Sequence, residues 1–253
     1  MVKKLNSNHI KIIALVAMTI DHITQLLFPG FSYKFLPIFL HMIGRLAFPI
    51  YAFCVAEGYH YTRNINKYLE RLLILALISH IPFIMEVDSF TKYGWKAFIP
   101  FLTANGLNRF SKQTSVIWGY LIGLLILKVK DNKTLNKYFY LIMPILLLIA
   151  FPADWTSIGP IIVFIIASNR GDPKKQILWS GLIILMFVIL FVILVDMVYG
   201  LLQLSTLLSI PILRMYNGKK SSNEKVNKVM KYLFYIYYPA HLLILGIIKI
   251  LIK

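Results

Sequence analysis

The sequence predicts an all-α, polytopic integral membrane helix bundle of about nine spans (eight to ten), with a cytoplasmic N-terminus. Three observations carry this. Hydrophobic residues make up 58% of 253 positions and charged residues 15%, where a soluble domain has about half and about a quarter. The apolar residues come in runs that reach or approach the ~20 needed to cross a bilayer core. The basic residues collect in short connectors between those runs. A soluble enzyme, a secreted disulfide scaffold and a disordered chain are excluded together.

In chain order the runs predict spans near 10–29, 35–57, 69–86, 114–127, 138–152, 157–168, 176–196, 198–213 and 232–252. Asn6-Ser7-Asn8 supplies cap oxygens for the first. Gly44-Arg45 with Pro49 makes a weak point in the second. The run Ile177 to Leu213 is too long for one crossing and is split at Asp196 and Gly200. Pro152 to Trp155 separates two short runs, which form either two tilted helices or one helix and a re-entrant piece. The long connector near 87–113, with Trp95, Asn105, Asn108 and Arg109, suggests a partly structured extracytoplasmic lid. The chain reads as a single domain, residues 1–253.

The net charge of +17 follows from sidedness rather than from a nucleic-acid surface. With the N-terminus inside, nine spans place 19 of the 27 Lys and Arg on the cytoplasmic face, as the positive-inside rule demands. The single cysteine, Cys54, lies within an apolar run, so there is no disulfide framework. No small-residue cleavage site follows the first run, which is read as a retained span. No internal repeat is visible, which speaks against a transporter of inverted halves. No metal ligation is expected.

Ionisable residues inside spans are costly and mark function by default. They are Asp21, His22, Arg45, Glu57, His80, Glu86, Asp154, Asp196 and His241. His41, Glu86 and Asp196 sit near span ends and read as boundary residues or buried structural pairs. Lys11 and His22 are eleven residues apart, so they share a helical face about 16 Å apart along the axis. A cation at the mouth thus lines up with a deep imidazole, a track that fits an extended anionic ligand such as a coenzyme A thioester. Asp21 points about 100° from His22 and is expected to pair with Arg45. Pro239 and His241 suggest a cavity in the last span.

Several segments resemble TraX-like proteins. They include Lys4-Leu5-Asn6-Ser7 through Asp21-His22-Ile23, Ile43-Gly44-Arg45-Leu46-Ala47-Phe48-Pro49-Ile50, Glu57-Gly58, Thr62-Arg63, Ser79-His80-Ile81-Pro82-Phe83, Ala153-Asp154 with Gly159, and Tyr238-Pro239-Ala240-His241-Leu242. Trp155-Thr156 stand where members commonly carry Tyr-Gly, and Thr114 to Trp118 match only loosely. The family is similar to a wider transmembrane acyltransferase superfamily, in which a basic residue precedes a first-span His at the spacing of Lys11 and His22.

The resemblance implies a multi-pass acetyltransferase of the cytoplasmic membrane. Acetyl-CoA would be the donor substrate, and the acceptor an exported peptide, a pilin-like protein or a glycan, reached at the outer side of the bilayer. On this reading His22, Asp21 and Arg45 are the catalytic candidates, with His22 a general base or a covalent nucleophile. Lys11, Arg63 and Arg71 would hold the donor's phosphates. His80, Asp154, His241 and Glu57 would line the acceptor side or act structurally. The rival class is a transporter or flippase using the same polar cluster; a structural membrane protein is a third reading.

Overall fold

In the computed structural model, which describes residues 4–30, 32–87, 92–99 and 113–252, those residues form helices and connecting turns with no strand beyond two isolated bridges. The helices are α1 (Ser7–Leu27), α2 (Phe35–Gly44), α3 (Ala47–Tyr61), α4 (Ile65–Glu86), α5 (Val116–Asp131), α6 (Phe139–Ala150), α7 (Ile158–Ser168), α8 (Pro173–Leu194), α9 (Met197–Leu202), α10 (Ser209–Arg214) and α11 (Glu224–Leu251). Six segments are long and apolar enough to cross a membrane: α1, Phe35–Tyr61, α4, α8, Met197–Arg214 and α11. This is a multi-pass membrane protein.

The chain falls into two compact units, Met1–Cys54 with Ile177–His241 and Val55–Gln176 with Leu242–Lys253. The borders lie within the continuous helices α3, α8 and α11.

In the first unit α1 opens on a reciprocal cap. The Asn6 side chain accepts from Asn8 N–H (3.0 Å) and His9 N–H (3.1 Å), while Asn6 N–H donates to His9 Nδ1. The helix then runs alongside α11 in the same direction. Asn8 Nδ2 donates to Asn227 Oδ1 (2.9 Å) at the start of both, and His22 meets His241 two-thirds of the way along. Backbone bonds from Leu5 and Ser7 to the 215–219 segment tie the two entrances together.

The second unit holds the short apolar runs. The runs 114–127, 138–152 and 157–168 fold as helices of 16, 12 and 11 residues, about 24, 18 and 16 Å long, shorter than the ~30 Å core. They nevertheless alternate in direction. Trp118 Nε1, at the start of α5, donates to Ile149 O at the end of α6 (3.1 Å), the chain having turned by 117° between them. α7 then runs with α5: Gly119 and Gly123 lie against Pro160 and Val163, and Lys130 Nζ donates to Ser168 Oγ at the far end. A Cβ at Gly123 would stand 2.8 Å from that of Val163, so the glycine permits the close helix approach common in membranes.

Other boundaries move for local reasons. The second span breaks at the expected weak point, with α2 ending at Gly44 and α3 starting at Ala47. The split near Asp196 also appears: its side chain accepts from Tyr199 N–H (2.7 Å) and starts α9. The last helix begins eight residues earlier than the apolar run does. Asn223 accepts from Val226 N–H and Glu224 sits in the first turn, which favours the positive end of the helix dipole. Lys225, Lys228 and Lys231 are therefore on a helix, not in a loop. Of the 87–113 connector, 92–99 contain a 3-10 turn (Gly94–Phe98) with Trp95 exposed; Asn105, Asn108 and Arg109 lie outside the described residues.

The turn before α7 holds two non-glycine residues at positive φ, Trp155 (66°) and Thr156 (46°). A β-branched residue in this region is strained, at a cost of about 1–3 kcal/mol. Thr156→Gly is expected to raise stability by about 1 kcal/mol after glycine's own entropic cost. Thermal unfolding in detergent measures it, and a lower midpoint would count against the strain.

Candidate functional site

Asp21 and His22 follow one another on α1 and so serve two different neighbours. Asp21 faces α2. Its Oδ1 accepts from His41 Nδ1 (2.7 Å) and its Oδ2 from Arg45 Nη1 (3.1 Å). The three side chains are only 16%, 10% and 11% exposed, in that order. His41 and Arg45 are one helical turn apart, and Gly44 between them leaves the room: a Cβ there would overlap the Asp21 carboxylate. The expected pairing of Asp21 with Arg45 is present. His41, read as a boundary residue or a member of a buried structural pair, is the buried third member; its four-residue spacing from Arg45 was the available signal. The Arg45 guanidinium also lies over the Tyr199 ring (5.9 Å).

His22 faces α11, where its ring meets His241 edge-on at 5.1 Å between centroids. His241 is stacked on Tyr237 (5.2 Å) and edge-on to Tyr238 (5.7 Å). Its Nδ1 lies 2.8 Å from Tyr237 O, an atom that only accepts. Nδ1 therefore carries the proton, and in the neutral ring the basic lone pair belongs to Nε2. Thr19 Oγ1 donates to Leu15 O, so Tyr237 is the donor in the 2.6 Å bond between the Thr19 and Tyr237 hydroxyls. The carbonyl that Pro239 cannot serve belongs to Tyr235, while His241 takes the one at Tyr237.

Lys11 lies on the same side of α1, its Nζ 5.4 Å above the Phe234 ring of α11. Lys220, Lys231 and Cys54 are its electrostatic neighbours. Arg63 is exposed between α3 and α4, and Arg71 lies over the Tyr68 ring (5.7 Å), both in the second unit. The cations grouped with Lys11 are Lys220 and Lys231.

The remaining candidates are structural in this geometry. His80 bonds through both nitrogens, Nε2 to Phe98 O (3.1 Å) and Nδ1 to Thr114 Oγ1 (3.0 Å), which fixes Nε2 as the protonated atom and joins α4 to the start of α5. Glu57 accepts from Arg170 Nε (3.1 Å). Partial burial opposes the charge on Arg170, and the Glu57 carboxylate outweighs it, so its pKa is raised. Asp154 N–H donates to Thr114 O (2.8 Å) and anchors the turn before α7. Among the described residues no group of His, Cys, Asp and Glu could hold a metal ion.

Beyond the spans, Tyr33 Oη donates to Asp196 Oδ2 (2.6 Å). This bond, then the backbone N–H of Tyr199, lowers the Asp196 pKa below its ordinary 3.8. A lowered carboxylate stabilises the fold above its unfolded pKa, and the contribution is lost as pH falls through the folded one. Tyr33→Phe is expected to lower the melting temperature at pH 7, with the gap to the parent protein closing below pH ~3.8. A gap independent of pH would show that the bond contributes nothing through Asp196.

The model of the family described as TraX protein matches residues 6–249. The chain is similar to a probable fimbrial assembly protein FimC, serogroup H1, of Dichelobacter nodosus, at 25% identity over 96% of both chains. No solved structure matches.

Proposed function

Because the chain belongs to the TraX protein family, we propose that it is a membrane acetyltransferase that moves an acetyl group from cytoplasmic acetyl-CoA to an acceptor on the opposite side of the bilayer. The observation that supports this reading most is the seam between α1 and α11. A cation, Lys11, stands at its basic end, and an imidazole pair, His22 and His241, stands about 16 Å deeper. The positive-inside rule puts the Lys11 end in the cytoplasm, where acetyl-CoA is made.

Lys11, Lys220 and Lys231 attract the donor's phosphates at the mouth. His22 takes the proton from the attacking amine or hydroxyl as it adds to the thioester carbonyl. The new C–N or C–O bond forms, the C–S bond breaks, and the same proton returns to the thiolate, so CoA leaves as free thiol. His22 as the covalent acetyl carrier is the second role open to it. The Asp21–His41–Arg45 cluster spends both carboxylate oxygens on α2 and holds α1 in register rather than touching substrate. The family and the printed name of the fimbrial relative favour the N-terminal amine of a pilin-like protein as acceptor over a glycan hydroxyl.

Purified protein in liposomes, given labelled acetyl-CoA and a pilin-like peptide, should release CoA thiol and label the peptide N-terminus. A transporter or flippase would release no thiol, and that result would overturn the proposal.

A further inference from the structure

Tyr51 lies in the same unit as the seam and takes no part in the chemistry above. Its side chain is 5% exposed and its hydroxyl has no hydrogen-bond partner among the described residues. A buried hydroxyl left in this state is costly. The ring is held in place by stacking on Phe234 (4.5 Å, 23°), the ring over which Lys11 sits. Cys54, one turn along α3, and Tyr237 and Tyr238 are its electrostatic neighbours. Phe234 precedes His241 by two turns, about 10 Å along the axis. The Tyr51 ring therefore lies at the level of Phe234, the ring under Lys11, about two turns short of His241.

What it lacks is an acceptor. Its neighbours include the Phe234 ring, the Cys54 thiol and the Tyr237 and Tyr238 phenols, and none of them takes its proton in this structure. The Tyr237 hydroxyl is committed to Thr19 and the Tyr237 carbonyl to His241. An extended phosphopantetheine thioester brings the missing chemistry, since its arm is a series of carbonyls ending at the thioester, with phosphates at the other end.

Resting on the acetyl-CoA reading, we propose that the Tyr51 hydroxyl is a donor-binding group, donating a hydrogen bond to a carbonyl of the pantetheine arm as it lies along the seam from Lys11 toward His22. No bond is made or broken at Tyr51; it positions the arm.

Binding tests this without relying on turnover. Calorimetry on the full-length protein in detergent would compare CoA with adenosine 3′,5′-bisphosphate, which keeps charge at one end but has no pantetheine arm. Tyr51→Phe keeps the ring and its stacking. The expected result is CoA binding weakened about tenfold, the loss of one good hydrogen bond, with binding of the bisphosphate unchanged. Equal CoA affinity in both proteins, or equal weakening of both ligands, overturns the proposal, the latter because it signals a structural defect. If the parent protein binds no CoA, this proposal and the acetyl-CoA reading both fall. If CoA binds as expected but no acetyl is transferred, the transferase reading falls and the Tyr51 assignment stands.

Discussion

Replacement of His22 by alanine is expected to slow acetyl transfer by about 10²–10⁴-fold, the range for removing a general base, while the protein remains inserted and folded. The side chain projects into the seam with α11, opposite His241. Its loss removes chemistry and one ring contact. His241→Ala should also cost activity, because the His241 ring packs against His22 and is itself fixed by the Tyr237 carbonyl. If the two act as a unit, the double variant should be no slower than the slower single one. Release of CoA thiol, followed with labelled acetyl-CoA, measures all three. A well-folded His22→Ala protein that transfers acetyl at the parent rate would end the catalytic assignment.

The second large effect concerns stability. Asp21→Ala strands the Arg45 guanidinium and the His41 ring in a site where their side chains are 11% and 10% exposed. Removing one partner of such a buried pair costs about 3–5 kcal/mol, enough to deplete the folded protein in detergent. The double change Asp21→Asn with Arg45→Met removes both charges and should recover much of that loss. Gly44→Ala should resemble Asp21→Ala, since its methyl group claims the volume the carboxylate occupies. Unfolding midpoints and the monodisperse fraction on size exclusion report the ranking. Parent-like stability in Asp21→Ala would mean the cluster is not structural.

The bundle was legible in the sequence because membrane insertion leaves a coarse record in runs of apolar residues and in basic connectors. Where the record misled, the cause was local. The start of α11 is amphipathic, so its first turns read as loop, although Asn223 and Glu224 mark a helix start. Runs 138–152 and 157–168 have the composition of spans but not their length, because the turn at Pro152 to Thr156 interrupts them. Within the site, the shared face of Lys11 and His22 followed from helical period alone, as did the divergence of Asp21. The partners did not. That His241 meets His22, that His41 joins Asp21 and that Lys220 and Lys231 accompany Lys11 are facts of tertiary packing, with up to 219 residues between partners. Beyond the four-residue spacing of His41 and Arg45, periodicity within one element holds no information about them.

The parallel seam joins the first helix of the chain to the last, and this has a consequence for biogenesis. His22 on α1 is synthesised well before α11, the helix bearing Phe234, Tyr237 and His241. Until α11 is made, the rings that Lys11 and His22 face in the folded protein do not yet exist. A nascent chain interrupted anywhere before Glu224 thus carries half of the seam and none of the paired imidazoles. The seam is completed only once α11 has been made.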